Sequence, residues 1–307
     1  MATRFDSGSL WQRLRSRTES AITNGALHSI ATDYHALEQD GLEFVVRVAH
    51  NLKRKAEERQ SQSTTPSNIP FNPFLPPEPA LTVADISSTH LSVLNKFNVV
   101  ENHLLIVTRD FQHQERLLNH QDFEALWLCM AEYPSLGFYN GGVTAGASQH
   151  HKHLQLVPLP LYPGQAAVPF QALFTAAGQA EGLQSLKQFP FHHCWAPLPK
   201  GMASDPSTAA EQILSLYLQM LNEVGIKIVS GADGDYQSAP YNLLLTREWM
   251  LLVPRSQEYC DNISVNALGY VGSLFVKQRS DLETLTDIGP MNLLQAVSMP
   301  YPKDFHT

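Results

Sequence analysis

The sequence predicts an α+β fold in which an antiparallel sheet carries packed helices and the basic unit occurs twice. Three observations predict it. Two stretches read as hairpins, one between residues 88 and 108 and one over YNLLLTREWMLLVPRS (241–256). Two stretches carry apolar residues at helical spacing, HQERLLNHQDFEALWLCMAEY (113–133) and TAAEQILSLYLQMLNEVG (208–225). Both halves then run through strand, helix and polar loop with little residue identity, the pattern of a duplicated unit.

In chain order, residues 5–38 carry scattered apolar positions (Leu10, Trp11, Leu14, Ile22, Leu27) and read as one or two helices. LEFVVRV (Leu42–Val48) reads as a strand from its β-branched and aromatic content. KRKAEERQSQSTTPSN is polar and without aromatics, and reads as a mobile surface loop. FNPFLPPEPAL is expected to be extended, because proline fixes φ and disfavours helix before it. THLSVLNKF and HLLIVT form a hairpin about a turn at Asn98–Asn102. The helix of 113–133 follows, with Leu126 and Trp127 in its core stripe. Then come LGFYN, the small-residue loop GGVTAGAS and the strand HKHLQLVPLP. The second half supplies its helix, its hairpin and ISVNALGYVGSLFVK. The expected division is an N-terminal catalytic half, residues 1–200, and a C-terminal half, residues 201–307, that completes the site.

The chain has 307 residues, 43% hydrophobic and 16% charged, enough apolar material for a sizeable core. A formal net charge of −8 argues against a general nucleic-acid binder, although an anionic ligand needs only a few local cations. No apolar run has membrane-spanning length, and the N-terminus lacks the apolar core of a secretory signal. Cys129, Cys194 and Cys260 are far apart and include no CxxC pair. They read as reduced thiols of a cytoplasmic protein, with neither a disulfide framework nor a thiolate zinc site. His192, His193 and Cys194 find no further ligand at zinc-like spacing, so no metal-ligating set is expected.

The chemistry concentrates in Asn140–Pro158, NGGVTAGASQHHKHLQLVP. Side chains alternate along a strand, so His151, His153 and Gln155 share one face, while Lys152, Leu154 and Leu156 share the other. Two imidazoles and an amide in a row have no structural purpose on a core strand. The loop before them, Gly141–Ser148, has almost no side-chain bulk, so its backbone N–H groups can approach an anion. Thr144, Ser148 and Gln149 add neutral donors. There is no Walker loop. A neutral imidazole is a competent nucleophile at phosphorus, which points to phosphoryl or nucleotidyl transfer through a phosphoramidate. Spacing alone leaves a metal pair and a solvated histidine row open as alternatives. Lys96 and Lys277 are candidates to balance phosphate charge. Arg255 could hold phosphate or lie at the surface; Arg247 flanks the same hairpin. His103 and His113 read as ordinary surface residues.

The segment GASQHHKHLQ (Gly146–Gln155) resembles the HxHxQ branch of the histidine-triad superfamily, and within it the fungal-type ATP adenylyltransferases, or diadenosine tetraphosphate phosphorylases. The resemblance extends through NPFLPPEP, LNKFNVVENHLLIVT, FYNGG, YNLLLTREWMLLVPRS and SVNALGYVGSLFVK, and so covers most of the chain from about residue 42. It implies a duplicated histidine-triad-like fold. It also implies His153 as the nucleophile, with His151 and Gln155 beside it and Gln155 on the reacting phosphate. Asn140, Gly146, Ala147, Ser148 and Gln149 would line the phosphate and ribose site. Asn95 and Lys96 would contact the nucleotide, with Lys55 (or Lys53), Asn266, Ala267, Leu268, Ser273 and Lys277 completing the substrate contacts. The implied reaction takes diadenosine tetraphosphate and phosphate to ATP and ADP, with a divalent cation, magnesium, on the polyphosphate. The implied partners are diadenosine polyphosphates, phosphate, ATP and ADP, without nucleic acid or membrane. A hexose-1-phosphate uridylyltransferase is the alternative, but that group has proline at both intervening positions of the motif, where Lys152 and Leu154 stand here. A slow nucleotide-binding regulatory protein is the other.

Overall fold

Helix α1 (Leu10–Thr23) begins a structure, a computed structural model, that describes residues 5–50, 71–199, 201–202 and 205–302. The polar stretch from Lys53 and its neighbour Lys55 therefore lie outside the described residues. Leu10, Leu14 and Ala21 of α1 are buried on one side. The rest of the expected helical region is instead a turn and irregular chain over residues 24–31, then strand β1 (Thr32–Gln39), antiparallel to β2 (Leu42–Ala49). The signal that separates them is Asp40–Gly41. Both residues have positive φ, 54° and 75°, as a tight hairpin turn requires. The polar sequence of β1 suits a half-covered edge.

Residues 71–80 are not simply extended. The Asn72 side chain accepts the Phe74 N–H at 3.0 Å, and Phe74 bridges Pro77 in a compact turn. Strands β3 (Thr82–Asp85), β4 (His90–Leu94) and β5 (Leu104–Thr108) follow, with β4 and β5 forming the expected hairpin. Helix α2 (His120–Met130) starts later than its apolar pattern suggests, at a capping box between Asn119 and Asp122. Then come β6 (Ser135–Gly141), a 3-10 turn at Val143–Ala145, β7 (His153–Pro158), α3 (Gln171–Ala177) and β8 (Cys194–Pro197). The second half adds α4 (Pro206–Glu223) and a small exposed hairpin of β9 (Ile228–Gly231) and β10 (Gly234–Gln237). Strands β11 (Tyr241–Leu245) and β12 (Trp249–Pro254) form its main hairpin. After the short pair β13 (Tyr259–Cys260) and β14 (Ile263–Ser264) come a 3-10 turn at Ala267–Val271, strand β15 (Ser273–Val276), and helices α5 (Arg279–Ile288) and α6 (Pro290–Val297).

One eight-stranded antiparallel sheet joins both halves in the order β3-β4-β5-β7-β6-β11-β12-β8. A separate three-stranded sheet, β1-β2-β15, contains a parallel pair, β2 with β15. One face of the large sheet buries Leu104, Ile106, Leu154 and Leu156 against Leu14 of α1, Phe123 and Leu126 of α2, and Ile213 and Tyr217 of α4. The opposite face buries Phe138, Val157, Leu244 and Val253 against the small sheet and the C-terminal helices. The alternation expected of β7 thus sends Leu154 and Leu156 into the helical layer, and His153 and Gln155 to the other side. Among the described residues no helix is long and apolar enough to cross a membrane.

Candidate active site

His153 lies at the first position of β7, 4% exposed. Its Nδ1 sits 2.8 Å from the His151 carbonyl oxygen. A carbonyl only accepts, so Nδ1 carries the proton and Nε2 carries the lone pair. Burial pushes the His153 pKa down to about 4; the His151 carbonyl opposes this, and the nearby His151 ring adds to it. The ring is therefore a neutral imidazole with an unprotonated Nε2 at ordinary pH.

His151 is held differently. Its Nε2–H donates to the Thr108 carbonyl at 2.8 Å, and its Nδ1 accepts from Asn72 Nδ2 at 2.9 Å. Both ring nitrogens are in use, which suits an orienting group. The Phe74 ring lies 5.6 Å from His151 and 5.5 Å from His153, so the two imidazoles share one face, as strand alternation requires.

Lys152 points through the sheet to the opposite side and is completely buried. Its ammonium donates to Asp122 at 2.5 Å and to the Leu117 carbonyl at 2.8 Å, and Asp122 also meets His90 Nε2 at 3.0 Å. This charged cluster, which pattern reading did not find, ties the first turn of α2 to the back of the histidine strand.

His103 is the clearest correction. The expectation was surface; it is 7% exposed. Its Nδ1 meets Asn95 Nδ2 at 3.2 Å, while its buried Nε2, beside the Gln155 side chain, has no partner at bonding geometry. Burial lowers its pKa to about 4, with Gln155 opposing and His153 adding to the effect. Asn95, His103 and Gln155 thus form a polar row leading to His153. The signal available in the sequence was alternation along HLLIVT: His103, Leu105 and Val107 share the face that His153 and Gln155 occupy next door.

The loop differs in detail from a simple cradle. The N–H groups of Gly142, Ala145, Gly146 and Ala147 bond to carbonyls of Asn140, Gly142, Val143 and Gly142 within the loop. Further along stand the polar side chains of half-buried Gln149 and exposed Ser148. Gly146 is required where it stands. Its φ is +91°, and an added Cβ would lie 3.0 Å from the Val265 carbonyl and 3.1 Å from Asn266. Asn140 accepts from Asn242 at 2.8 Å and from the Ala267 N–H at 3.1 Å, which brings the 3-10 turn of the second half to the loop. Asn266 caps that turn by accepting the Leu268 N–H at 3.0 Å.

Arg255 is not at the surface. It is 1% exposed and donates to Asn242 at 2.6 Å and to the carbonyls of Val265 and Val297 within its own half, and it reaches the Ala145 carbonyl of the loop at 3.4 Å. Arg247 donates to the Met130 carbonyl. His193 accepts the Leu186 N–H at 2.7 Å and donates to the Phe191 carbonyl at 2.8 Å, which accounts for both its nitrogens structurally.

The remaining candidates have their contacts outside the His153 cluster. Lys96 pairs with Glu78 at 2.8 Å near the surface. Ser273 is buried against the Tyr162 hydroxyl at 2.6 Å. Lys277 is exposed at the end of β15, one residue past Val276, which pairs with Val48 of β2. It therefore leaves the small sheet at the end where β2 finishes, at Ala49. No contact among the described residues joins Ser273 or Lys277 to His153.

This geometry has relatives. The family model described as the Ap4A phosphorylase N-terminal domain matches residues 1–176, and that of the ATP adenylyltransferase C-terminal domain matches residues 187–300. The chain is 28% identical to diadenosine 5',5'''-P1,P4-tetraphosphate phosphorylase 2 of Saccharomyces cerevisiae, over 91% of this chain and 90% of that protein. It superposes on the crystal structure of yeast Ap4A phosphorylase Apa2 in complex with AMP with a TM-score of 0.76, at 25% identity, covering 98% of this chain and 99% of that one. For the Apa2 complex with Ap4A the TM-score is 0.73, at 26% identity, covering 96% and 98%. The matched domains together span nearly all of the chain, and the chain belongs to the Ap4A phosphorylase family.

Proposed function

We propose that this protein phosphorolyses diadenosine tetraphosphate to ATP and ADP through a covalent adenylyl-histidine on His153. The observation that carries the reading is the state of His153. Its Nδ1–H is committed to the His151 carbonyl, which leaves Nε2 as the nucleophile. Family membership supports the substrate: a yeast relative carries the phosphorylase name, and a solved relative holds Ap4A.

In the first half-reaction Nε2 attacks an α-phosphorus, the bond to the bridging oxygen breaks, and ATP leaves. In the second, a phosphate oxygen attacks the adenylyl phosphorus, the P–N bond breaks, and ADP leaves with neutral His153 restored. Each displacement inverts at phosphorus, so the overall outcome is retention. Gln155 would donate its amide N–H to a non-bridging oxygen, and the donors at Ser148 and Gln149 would share that charge. Asn140, Gly146 and Ala147, with Asn266, Ala267 and Leu268, would shape the pocket. Asn95 and Lys96 would reach the nucleotide. The Lys96–Glu78 pair is half-exposed and so of small stability value, and phosphate can compete for Lys96. Lys55, Ser273 and Lys277 remain proposed outer contacts.

Magnesium is proposed to arrive on the polyphosphate. Among the described residues no three His, Cys, Asp or Glu side chains are placed to hold an ion, so the protein's own residues fit an ion bound through substrate oxygens. A cytoplasmic location is proposed from three unpaired thiols, two of them buried. The test is incubation with diadenosine tetraphosphate and phosphate. ATP and ADP in equal amounts support the reading. Binding without turnover would favour the regulatory alternative, and no binding would end both.

A further inference from the structure

The ladder between β6 and β7 stops at Gln155, two residues short of the nucleophile. It pairs Ser135 with Pro158, Leu136 with Val157, Gly137 with Leu156 and Phe138 with Gln155. Continued in register, it would place Asn140 opposite His153. That pair is absent, although Asn140 remains paired with Asn242 of β11 on the other edge of β6. The Asn140 carbonyl and both peptide groups of His153 are instead met by the side chain of Gln114, from the connection between β5 and α2. Its Nε2 donates to the Asn140 carbonyl at 2.9 Å and to the His153 carbonyl at 3.2 Å, while its Oε1 accepts the His153 N–H at 2.9 Å. All three hydrogen-bonding positions of the amide are used on this seam.

Gln114 is itself held firmly. It is 1% exposed, its N–H donates to the His150 carbonyl at 2.7 Å, and its carbonyl accepts from the Tyr139 hydroxyl. It therefore grips both backbone groups of the residue that carries the nucleophile, and it fills the split between β6 and β7 with one amide. The split lets the loop at 141–149 leave β6 before the chain returns at His151. A closed ladder would place Asn140 and His153 across an ordinary sheet spacing of about 5 Å.

We infer that Gln114 is a positioning residue for His153, its amide holding the nucleophile's backbone across a deliberate gap in the sheet. The inference rests on His153 being the nucleophile. Gln114 touches no reacting atom, so its loss displaces the imidazole without removing a substrate contact. A misplacement of about 1 Å is enough to cost roughly 100-fold in rate.

Two variants test it, after wild type has been shown to turn over diadenosine tetraphosphate; wild type without turnover would defeat the functional reading and leave this one without a subject. Gln114→Ala should lower kcat by about 100-fold while KM for diadenosine tetraphosphate stays within about threefold. Gln114→Glu is nearly isosteric. As a carboxylate it still accepts the His153 N–H but faces the Asn140 and His153 carbonyls with no donor. Burial beside two carbonyls raises its pKa, and protonation restores one donor. Its kcat should therefore rise by about tenfold as pH falls from roughly 8 to 6, while wild type shows no such rise. Equal loss in kcat and KM, or a Gln114→Glu profile parallel to wild type, would overturn the inference. So would kcat within twofold of wild type for either variant. If Gln114→Ala fails to fold, the pH profile of Gln114→Glu decides alone.

Discussion

Replacing Lys152 with methionine should destabilise the fold while sparing the chemistry, although Lys152 sits between the two motif histidines. Its side chain lies on the helical face of β7, bonded to Asp122 at 2.5 Å, with neither group exposed to any useful extent. Removing one partner of a buried pair costs about 3–5 kcal/mol, because the other charge remains without water or counter-ion. At roughly 2–4 °C per kcal/mol for a domain of this size, the melting temperature should fall by about 10 °C. The pH dependence carries a sign. In the wild type burial alone would raise the Asp122 carboxyl, but Lys152 and His90 outweigh it and hold the pKa down at about 2. A depressed carboxyl stabilises fully above its unfolded value, near 4, and that contribution is lost only as pH falls through about 2. Without Lys152, burial dominates and the sign reverses: the variant should lose stability as pH rises from about 4. Thermal unfolding at two pH values provides the assay. Lys152→Met should melt further below wild type at pH 7.5 than at pH 5, and Lys152→Met with Asp122→Asn should recover much of the loss. Activity of the folded variant should remain within about threefold, since the side chain projects away from His153. A melting temperature within about 2 °C of wild type at both pH values would refute the reasoning.

Three further outcomes follow. Because burial lowers the His153 pKa to about 4, the nucleophile stays neutral from pH 5 to 8, and kcat/KM should show no acid limb near 6.5; a limb centred there would contradict the assignment. His103→Phe keeps a ring against Phe138 but removes the nitrogens facing Asn95 and Gln155, so kcat should fall by about tenfold, the cost of about one hydrogen bond; wild-type kcat would return His103 to a packing role. Gln155→His places a group able to relay protons beside the adenylyl phosphorus and should raise hydrolysis relative to phosphorolysis; an unchanged ratio of AMP to ADP products would count against that role.

The motif strand was legible because period-two alternation decides which side chains share a face, and His151, His153 and Gln155 need no tertiary information to be aligned. The two hairpins were legible for the same reason. What escaped depends on contacts distant in sequence. Gln114 looks like a polar residue before a helix, and only the diverging courses of β6 and β7 give its amide a purpose. Arg255 looks like a surface arginine until Asn242, Val265 and Val297 surround it. Lys152 looks out of place on an apolar face until α2 brings Asp122 beneath it. β1 was missed because an edge strand needs little apolar content, although Asp40–Gly41 marked the turn. The small-residue loop was read as a segment that lets N–H groups approach an anion, yet four of those N–H groups serve the carbonyls of Asn140, Gly142 and Val143, which composition does not reveal.

The most direct measurement is capture of the covalent intermediate. Incubating the protein with α-labelled diadenosine tetraphosphate in the absence of phosphate should give an acid-labile adduct that maps to His153 and is discharged as ADP when phosphate is added. His151→Ala should still label, at a reduced rate, because that ring only orients its neighbour. His153→Ala should give no adduct, lose turnover by several powers of ten, and keep nucleotide affinity within roughly tenfold, about 1.4 kcal/mol, because the pocket around it is intact. An adduct that persists in His153→Ala, or that maps to His151, would contradict the account.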